Sequence, residues 1–396
     1  MSNFALGINP DILKWAREKA GFSPEDVAKI FKKDTATILE WESGTSFPTY
    51  SQLDKLAYQV YKRPIALFYF PTPPSEADPK QSFRTLPDFE IDKLSDDTRY
   101  AIRQARVMQI SLGEINNGIN PNPKKIFNDI KARKDNDPKS IAKTVREYLD
   151  VSLTSQTKWK NKDIALENWR NVVQDRGVFI FKRSFEQRDV SGFSLIDKEF
   201  PVIYLNNGTA SSRQIFTIFH ELAHVLLNSS GVTKTNDRYI SSLIGDSKDI
   251  EVFCNRFAAE FLVPSDDFDQ QLNNLDTLEN LINTLSKKYK VSREVILRKL
   301  LDRKLVSSDY YEQKSNEWNE EYQNLLLQQK EKRKETGKKG GGDYYATQAV
   351  YLGDKYLSLA FNKYYEGNYS IEQLADYLNV KVKSVPGLEN TFLEKA

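Results

Sequence analysis

Apolar residues in the first sixty positions recur at helical spacing, in short runs broken by turn residues. Ile12, Leu13, Trp15, Ala16 and Ala20 predict a helix over 10–20 that Gly21 ends. Ser23 can cap a second helix opened by Pro24 and buried through Val27, Ala28 and Phe31. Asp34 can cap a third over 35–42, stopped by Gly44, and Leu53, Leu56, Ala57 and Val60 mark a fourth. A tight connection between the second and third suits a helix-turn-helix, whose third helix would enter the major groove of DNA. The aromatic run that follows, with Pro71, Pro73, Pro74 and Pro79, predicts a packed strand or turn and then a stiff linker. Residues 90–160 are charged, intermittently apolar and expected to be helical, with no chemical motif.

The pattern changes after residue 165. A helix through Trp169 and Val173 ends at Gly177, and apolar runs at 178–181, 190–195 and 202–205 predict three strands of a small antiparallel sheet. Ile215, Phe216, Phe219, Leu222, Ala223, Leu226 and Leu227 then form the stripe of a helix over 213–227, with Ser211 and Ser212 as caps. Asp246 and Asp249 read as loop residues, and Glu251 opens a helix buried through Ile250, Phe253, Cys254, Phe257, Ala258 and Phe261. Further helices are expected over 277–304, over the polar stretch from 314 that runs into KEKRKETGKKGGG, over 344–365 and over 370–378. Ser370 and Gln373 make a capping box for the last of these. The expected class is α+β and mainly helical. Its parts are an all-α helix-turn-helix domain over 1–72, a Pro-rich linker over 73–88 and a helical region over 89–160. A sheet-containing domain follows over 161–305, then a polar helix and basic hinge over 306–342 and a helical C-terminal segment over 343–396.

The helix over 213–227 carries the only two histidines of the chain, in the order His220-Glu221-Leu222-Ala223-His224. Spacing of four puts both imidazoles on one helix face, where they can hold one zinc ion. Glu221 can then act as general base toward the water that such an ion activates. Catalytic zinc usually takes a third protein ligand. Neither a third histidine nor a second cysteine exists, so a carboxylate is expected. Glu251 is the choice because Asn255 lies one turn later on the same side, able to support a ligand; Asp249 is the fallback. An oxyanion would need a further donor, with Tyr204, Arg213 and Tyr239 as candidates.

FTIFHELAHVLLN together with EVFCNRFAAEFLVP resembles the ImmA/IrrE metallopeptidases over residues 165–305. The matching positions are Glu251, Asn255, Phe257, Ala258, Ala259, Leu262 and Pro264; Cys254 departs, standing where that family usually has Ala. The resemblance implies a zincin-like fold of gluzincin type, with His220, His224 and Glu251 as ligands and Glu221 as base. It also implies a helix-turn-helix repressor as the substrate, cut so that repression ends in a stress, phage or mobile-element switch. The zincin arrangement would align an extended substrate along an edge strand, expected near Tyr204. Residues 10–62 resemble the Xre/Cro-like repressor domains through Ala16-Arg17, Gly21, Ser23, Ala28, Trp41-Glu42, Gly44, Pro48, Leu53 and Ala57.

Charge changes the picture of that N-terminal domain. Lys plus Arg number 57 against 55 for Asp plus Glu, so no global field draws nucleic acid or membrane. Lys32, Lys33, Thr35 and Thr37 are the candidate DNA or partner contacts, yet Asp34, Glu40 and Glu42 lie on or beside the same helix. Phosphate neutralisation drives DNA affinity, so binding would need a homodimer or the basic segment near Lys330. A single cysteine excludes an intramolecular disulfide and points to a reducing compartment. With no signal-peptide pattern and no run long enough to span a bilayer, a cytoplasmic protein is expected. Two rivals to a repressor-cleaving zinc endopeptidase stand: a DNA-binding regulator whose metal domain senses or scaffolds, and the protease of a toxin–antitoxin or phage-defence pair.

Overall fold

Capping chemistry sets the ends of the N-terminal helices in the computed structural model, which describes residues 4–74, 91, 93–187, 189–234, 240, 243–272, 277–335 and 343–394. Most of the expected linker, Tyr239 and the glycine-rich end of the basic hinge lie outside the described residues. Contacts divide the chain into two units, residues 1–106 with 185–187 and residues 107–184 with 188–396.

In the first unit, α1 (Pro10–Ala20) is capped by Asn9 and ends at Gly21, whose φ of 84° suits the missing side chain. Helix α2 (Pro24–Phe31) has a reciprocal capping box between Ser23 and Asp26. Three residues separate it from α3 (Thr35–Ser43). Asp34 occupies the cap position of α3 as expected, but its exposed side chain makes no capping hydrogen bond. Helix α4 (Tyr50–Lys55) runs into a π-helical turn at Leu56–Val60. The aromatic run is a 3-10 turn, Ile65–Tyr69, that buries Phe68 against Ile12, Leu13, Ala16, Trp41 and Leu53. Arg17 and Glu42 form a bidentate pair at 2.6 and 3.0 Å inside this unit.

Helix α5 (Asp96–Ile115) has residues 96–106 in the first unit and residues 107–115 in the second, where α6 (Ile126–Asp129), α7 (Pro138–Leu149), α8 (Leu153–Lys158) and α9 (Lys162–Gln174) precede the sheet. Several of these residues, which carry no motif, build the main core. Ile126, Val145 and Leu149 join Trp169, Phe219, Phe257 and Phe261 in it. Buried Gln156 donates to the carbonyls of Leu262 and Tyr289, both at 2.9 Å, satisfying two main-chain acceptors at helix ends.

The strands are β1 (Phe179–Arg183), β2 (Val190–Leu195), β3 (Val202–Asn206) and β4 (Val232–Lys234), in the order β1-β3-β2-β4. Strand β2 runs antiparallel to β3 and β4, but β1 pairs with β3 in parallel. The sheet is therefore mixed rather than antiparallel, because β3 folds back from β2 into the slot beside β1. Helix α10 (Ser211–Leu226) lies on one sheet face. It starts after Ala210, and Ser211 bonds Asp163 instead of capping the helix. Gly192 of β2 makes this packing close: a Cβ there would meet Thr217 Cγ2 at 2.6 Å and the Tyr204 carbonyl at 2.8 Å.

Helix α11 (Gly245–Leu262) packs against α10, with Phe219 and Phe261 stacked at 4.0 Å. It begins six residues earlier than expected, so Asp246 and Asp249 are helical; Lys134 pairs with both of them. Next come α12 (Ser265–Gln271), α13 (Leu278–Tyr289), α14 (Arg293–Asp302) and the long α15 (Ser308–Glu335).

The helix expected over 344–365 is two, α16 (Tyr344–Leu352) and α17 (Asp354–Tyr365). Gly353 breaks it at φ 83°, where a Cβ would lie 2.4 Å from Arg170 Nη2. Fully buried Arg170 donates to the carbonyls of Ile180, Val350 and Tyr351, and Tyr356 packs edge-on against Phe181 at 5.1 Å. Helix α16 and Tyr356 of α17 thus pack on β1, and the last helices, α18 (Ile371–Tyr377) and α19 (Val385–Leu393), pack against α16 and α17.

Candidate metal centre

The apolar stripe of α10 is buried along its length, which turns His220, Glu221 and His224 inward, each at most 1% exposed. The two Nε2 atoms stand 3.2 Å apart. Glu251, wholly buried on α11, places Oε2 3.3 Å from His220 Nε2 and Oε1 3.4 Å from His224 Nε2. Asn255 Oδ1 is 2.9 Å from His220 Nδ1. An amide oxygen only accepts, so Nδ1 carries the proton and Nε2 is left to face the cluster. Two imidazole nitrogens and a carboxylate that converge this closely need a cation or a proton among them. Burial raises the Glu251 carboxyl, yet the two imidazoles overcome it and hold the group below the usual carboxylate range. Burial would lower His224, but Cys254 and Glu251 hold it well above its ordinary value. The donor set fits zinc in type and number.

Cys254, one turn beyond Glu251, belongs to the same cluster: one donor atom each from His220, His224 and Cys254 fall within 4.8 Å of one another. Being the only cysteine therefore does not exclude the thiol from the centre. Burial pushes it up to about 11, which makes it a poorer anion at neutral pH than the carboxylate beside it.

Glu221 is held from the sheet. Ser194 Oγ on β2 donates to Oε2 at 2.6 Å, and Thr233 Oγ1 on β4 donates to Oε1. Burial raises its pKa, and the two imidazoles and two hydroxyls pull against that rise. Sequence reasoning missed both hydroxyls. The available signal was a Ser and a Thr within buried apolar strands, since a buried hydroxyl needs a partner. Gly231 precedes β4 and lets the chain approach the centre, because a Cβ there would lie 2.5 Å from His224 Nε2.

Other expected residues lie elsewhere. Asp249 is exposed beside Lys134. Tyr204 sits in β3, an interior strand, and stacks on Phe193 at 5.2 Å. Phe193 alternates with Ser194, so Tyr204 faces away from Glu221 and is neither on the edge strand nor near the donors. The edge beside Glu221 is β4. Arg213 stands two turns before His220, roughly 10 Å along the helix axis, and bonds the Lys234 carbonyl. Tyr239 lies outside the described residues. In the first unit, Lys32 and Lys33 are exposed and Thr35 and Thr37 are half-buried on α3. Glu42 is not a free negative charge there, since Arg17 neutralises it.

Residues 173–301, a third of the chain, match the family model of the IrrE N-terminal-like domain, peptidase M78. The matched span holds the four strands, the two helices that carry the donor cluster and every residue of that cluster. It supports a metallopeptidase-type function for this part of the chain. No curated protein matches the sequence. Among the described residues, no helix is long and apolar enough to cross a membrane.

Proposed function

We propose that the chain is a zinc-dependent endopeptidase of HExxH type, which cuts a protein substrate, a helix-turn-helix repressor being the expected one. The observation that carries this reading is the buried convergence of His220, His224 and Glu251 beside a Glu221 fixed by two strands. A structural metal site needs no such base. Zinc, when bound by those three residues, supplies a Lewis acid that polarises the scissile carbonyl and activates water. Asn255 keeps His220 Nε2 turned inward. Each Glu221 oxygen accepts one hydroxyl hydrogen bond and keeps lone-pair capacity for the proton of the attacking water, which it then passes to the leaving amine. An extended substrate would pair along β4, the sheet edge among the described residues, rather than with the strand of Tyr204.

The first unit is proposed to be a helix-turn-helix module, α2 and α3, that docks the protein substrate. Support comes from the half-exposed Leu39 on α3, an apolar side chain where DNA readout would favour donors. The deciding experiment incubates zinc-loaded protein with repressors encoded beside its gene and follows their fragmentation by mass spectrometry. Zinc-dependent cutting that Glu221→Gln abolishes while metal is retained is the expected result. Equal cutting by Glu221→Gln would remove the base assignment.

A further inference from the structure

Next to the metal-facing residues lies a cavity of about 350 Å³ between α10, α11 and α14. Its walls include Phe216, Val252 and Val295, and its polar lining includes Arg213, Arg256 and Asn255. Phe216 is one turn before His220, and Asn255 is the residue whose Oδ1 holds His220 Nδ1. The cavity therefore continues the candidate centre along the same two helices. A volume of this size suits one side chain or a small molecule, at the low end of ligand pockets.

Charge selects the occupant. The charged groups of the lining are Arg213, Arg256 and Arg298 against Glu294 and Asp302, an excess of one positive charge, and Arg298 lies 3.4 Å from Asp302. Arg213 bonds the Lys234 carbonyl with Nη2 and lays its guanidinium 5.6 Å from the Phe216 ring centre, so its charge is held at the cavity wall. Arg256 is exposed. Planar guanidinium groups match a carboxylate, and the apolar walls match an aliphatic or aromatic stem.

We propose that this cavity binds a carboxylate carried on an apolar stem. The occupant is either an acidic side chain of the substrate near the cut or a free carboxylate that acts on the centre through Asn255. The first source rests on the peptidase reading above; binding itself does not.

The test uses the full-length, zinc-loaded chain and two probes, phenylpropionate and the uncharged phenylpropanamide, measured by calorimetry. The acid should bind on the order of tenfold more tightly than the amide, the scale of a charge-assisted hydrogen bond. Arg256→Gln, at an exposed position that leaves folding intact, should erase that difference. Equal binding of acid and amide would overturn the proposal. So would an acid preference that survives Arg256→Gln and disappears in His220→Ala, because the carboxylate would then sit on the metal. A second arm compares peptides with Glu or Gln at each position around the cut. Preference for Glu that Arg256→Gln removes identifies a substrate side chain as the occupant; calorimetric binding without such preference identifies a free carboxylate. If no peptide is cut at all, the peptidase reading fails while calorimetry still decides the pocket.

Discussion

At the scale of single residues the question is which side chains would hold a metal. Glu251 reaches both imidazoles with its two oxygens, whereas Asp249 is exposed beside Lys134 and Cys254 carries a thiol that burial keeps protonated. Purified protein should therefore carry about one zinc per chain, and Glu251→Ala should lose it while Asp249→Ala and Cys254→Ala keep it. Asn255→Ala should weaken zinc by on the order of 10–100-fold, the usual effect of removing a ligand's support. Metal analysis after dialysis against a graded chelator reads all four, and zinc loss in Cys254→Ala with retention in Glu251→Ala would transfer the ligand role to the thiol. A second expectation concerns pH. Glu221 must be ionised to act as a base, so activity should rise with pH through its pKa, which burial places above the ordinary value. The Thr233 hydroxyl pulls that pKa down, so Thr233→Val should move the acid limb of kcat/KM to higher pH; an unmoved or lowered limb would separate Glu221 from the limb. His220 with His224 and Glu251 with Asn255 were legible because helical spacing of four puts each pair on one face, and Glu221 was legible from its place in the motif between the histidines. Ser194 and Thr233 were not, because a hydroxyl that crosses from strand to helix leaves no spacing in the chain.

At the scale of elements, caps and periodicity are informative where the interaction is local. Ser23 with Asp26 and Ser370 with Gln373 close their boxes within four residues, and β2 spans its expected range. Pairing order is a different kind of information. The apolar runs of β1 and β3 do not say that they lie side by side in parallel, since that depends on which strand fills the slot. Likewise Gly353 reads as one more residue of a helical stripe until buried Arg170 is seen beneath it. The closest helix-to-sheet approach gives the prediction at this scale. In Gly192→Ala the new methyl would press on Thr217 Cγ2 and on the Tyr204 carbonyl, and the carbonyl is part of the ladder and cannot swing away. A loss of about 1–3 kcal/mol in unfolding free energy is expected from such overpacking. Because Ser194 lies two residues on, the same change should lift β2 from α10 and lower kcat more than KM. Chemical denaturation with peptide kinetics checks both, and unchanged stability would mean that the sheet can shift without cost.

Across the whole molecule, the functional reading turns on what the first unit does. Its sequence resembles DNA-binding repressors, while the acidic residues on and beside α3 oppose phosphate, and the structure removes one of them from that opposition. Glu42 is paired with Arg17, so the acidic load on α3 is Glu40 with Asp34 at its start, and Lys32 and Lys33 precede Asp34 in the chain. What remains at the surface of α3 includes Leu39, half exposed, which offers apolar area to a protein rather than donors to base edges. If the unit docks substrate, Leu39→Asp in the full-length chain should slow cleavage of a folded substrate on the order of tenfold, the scale of one well-placed interface residue. Cleavage of a short peptide spanning the cut should be unaffected, since such a peptide lacks the folded surface that would dock on α3. Lys33→Glu supplies the opposite control: reversing a cation that could face phosphate would weaken DNA binding and leave peptide kinetics unchanged. Equal slowing of both substrates by Leu39→Asp would mean a general effect on the enzyme. Tight, sequence-specific binding of DNA by the full-length chain at physiological salt, abolished in Lys33→Glu and kept in Leu39→Asp, would make the first unit a DNA reader. The metal centre would then serve a regulator that is brought to its operator before it cuts.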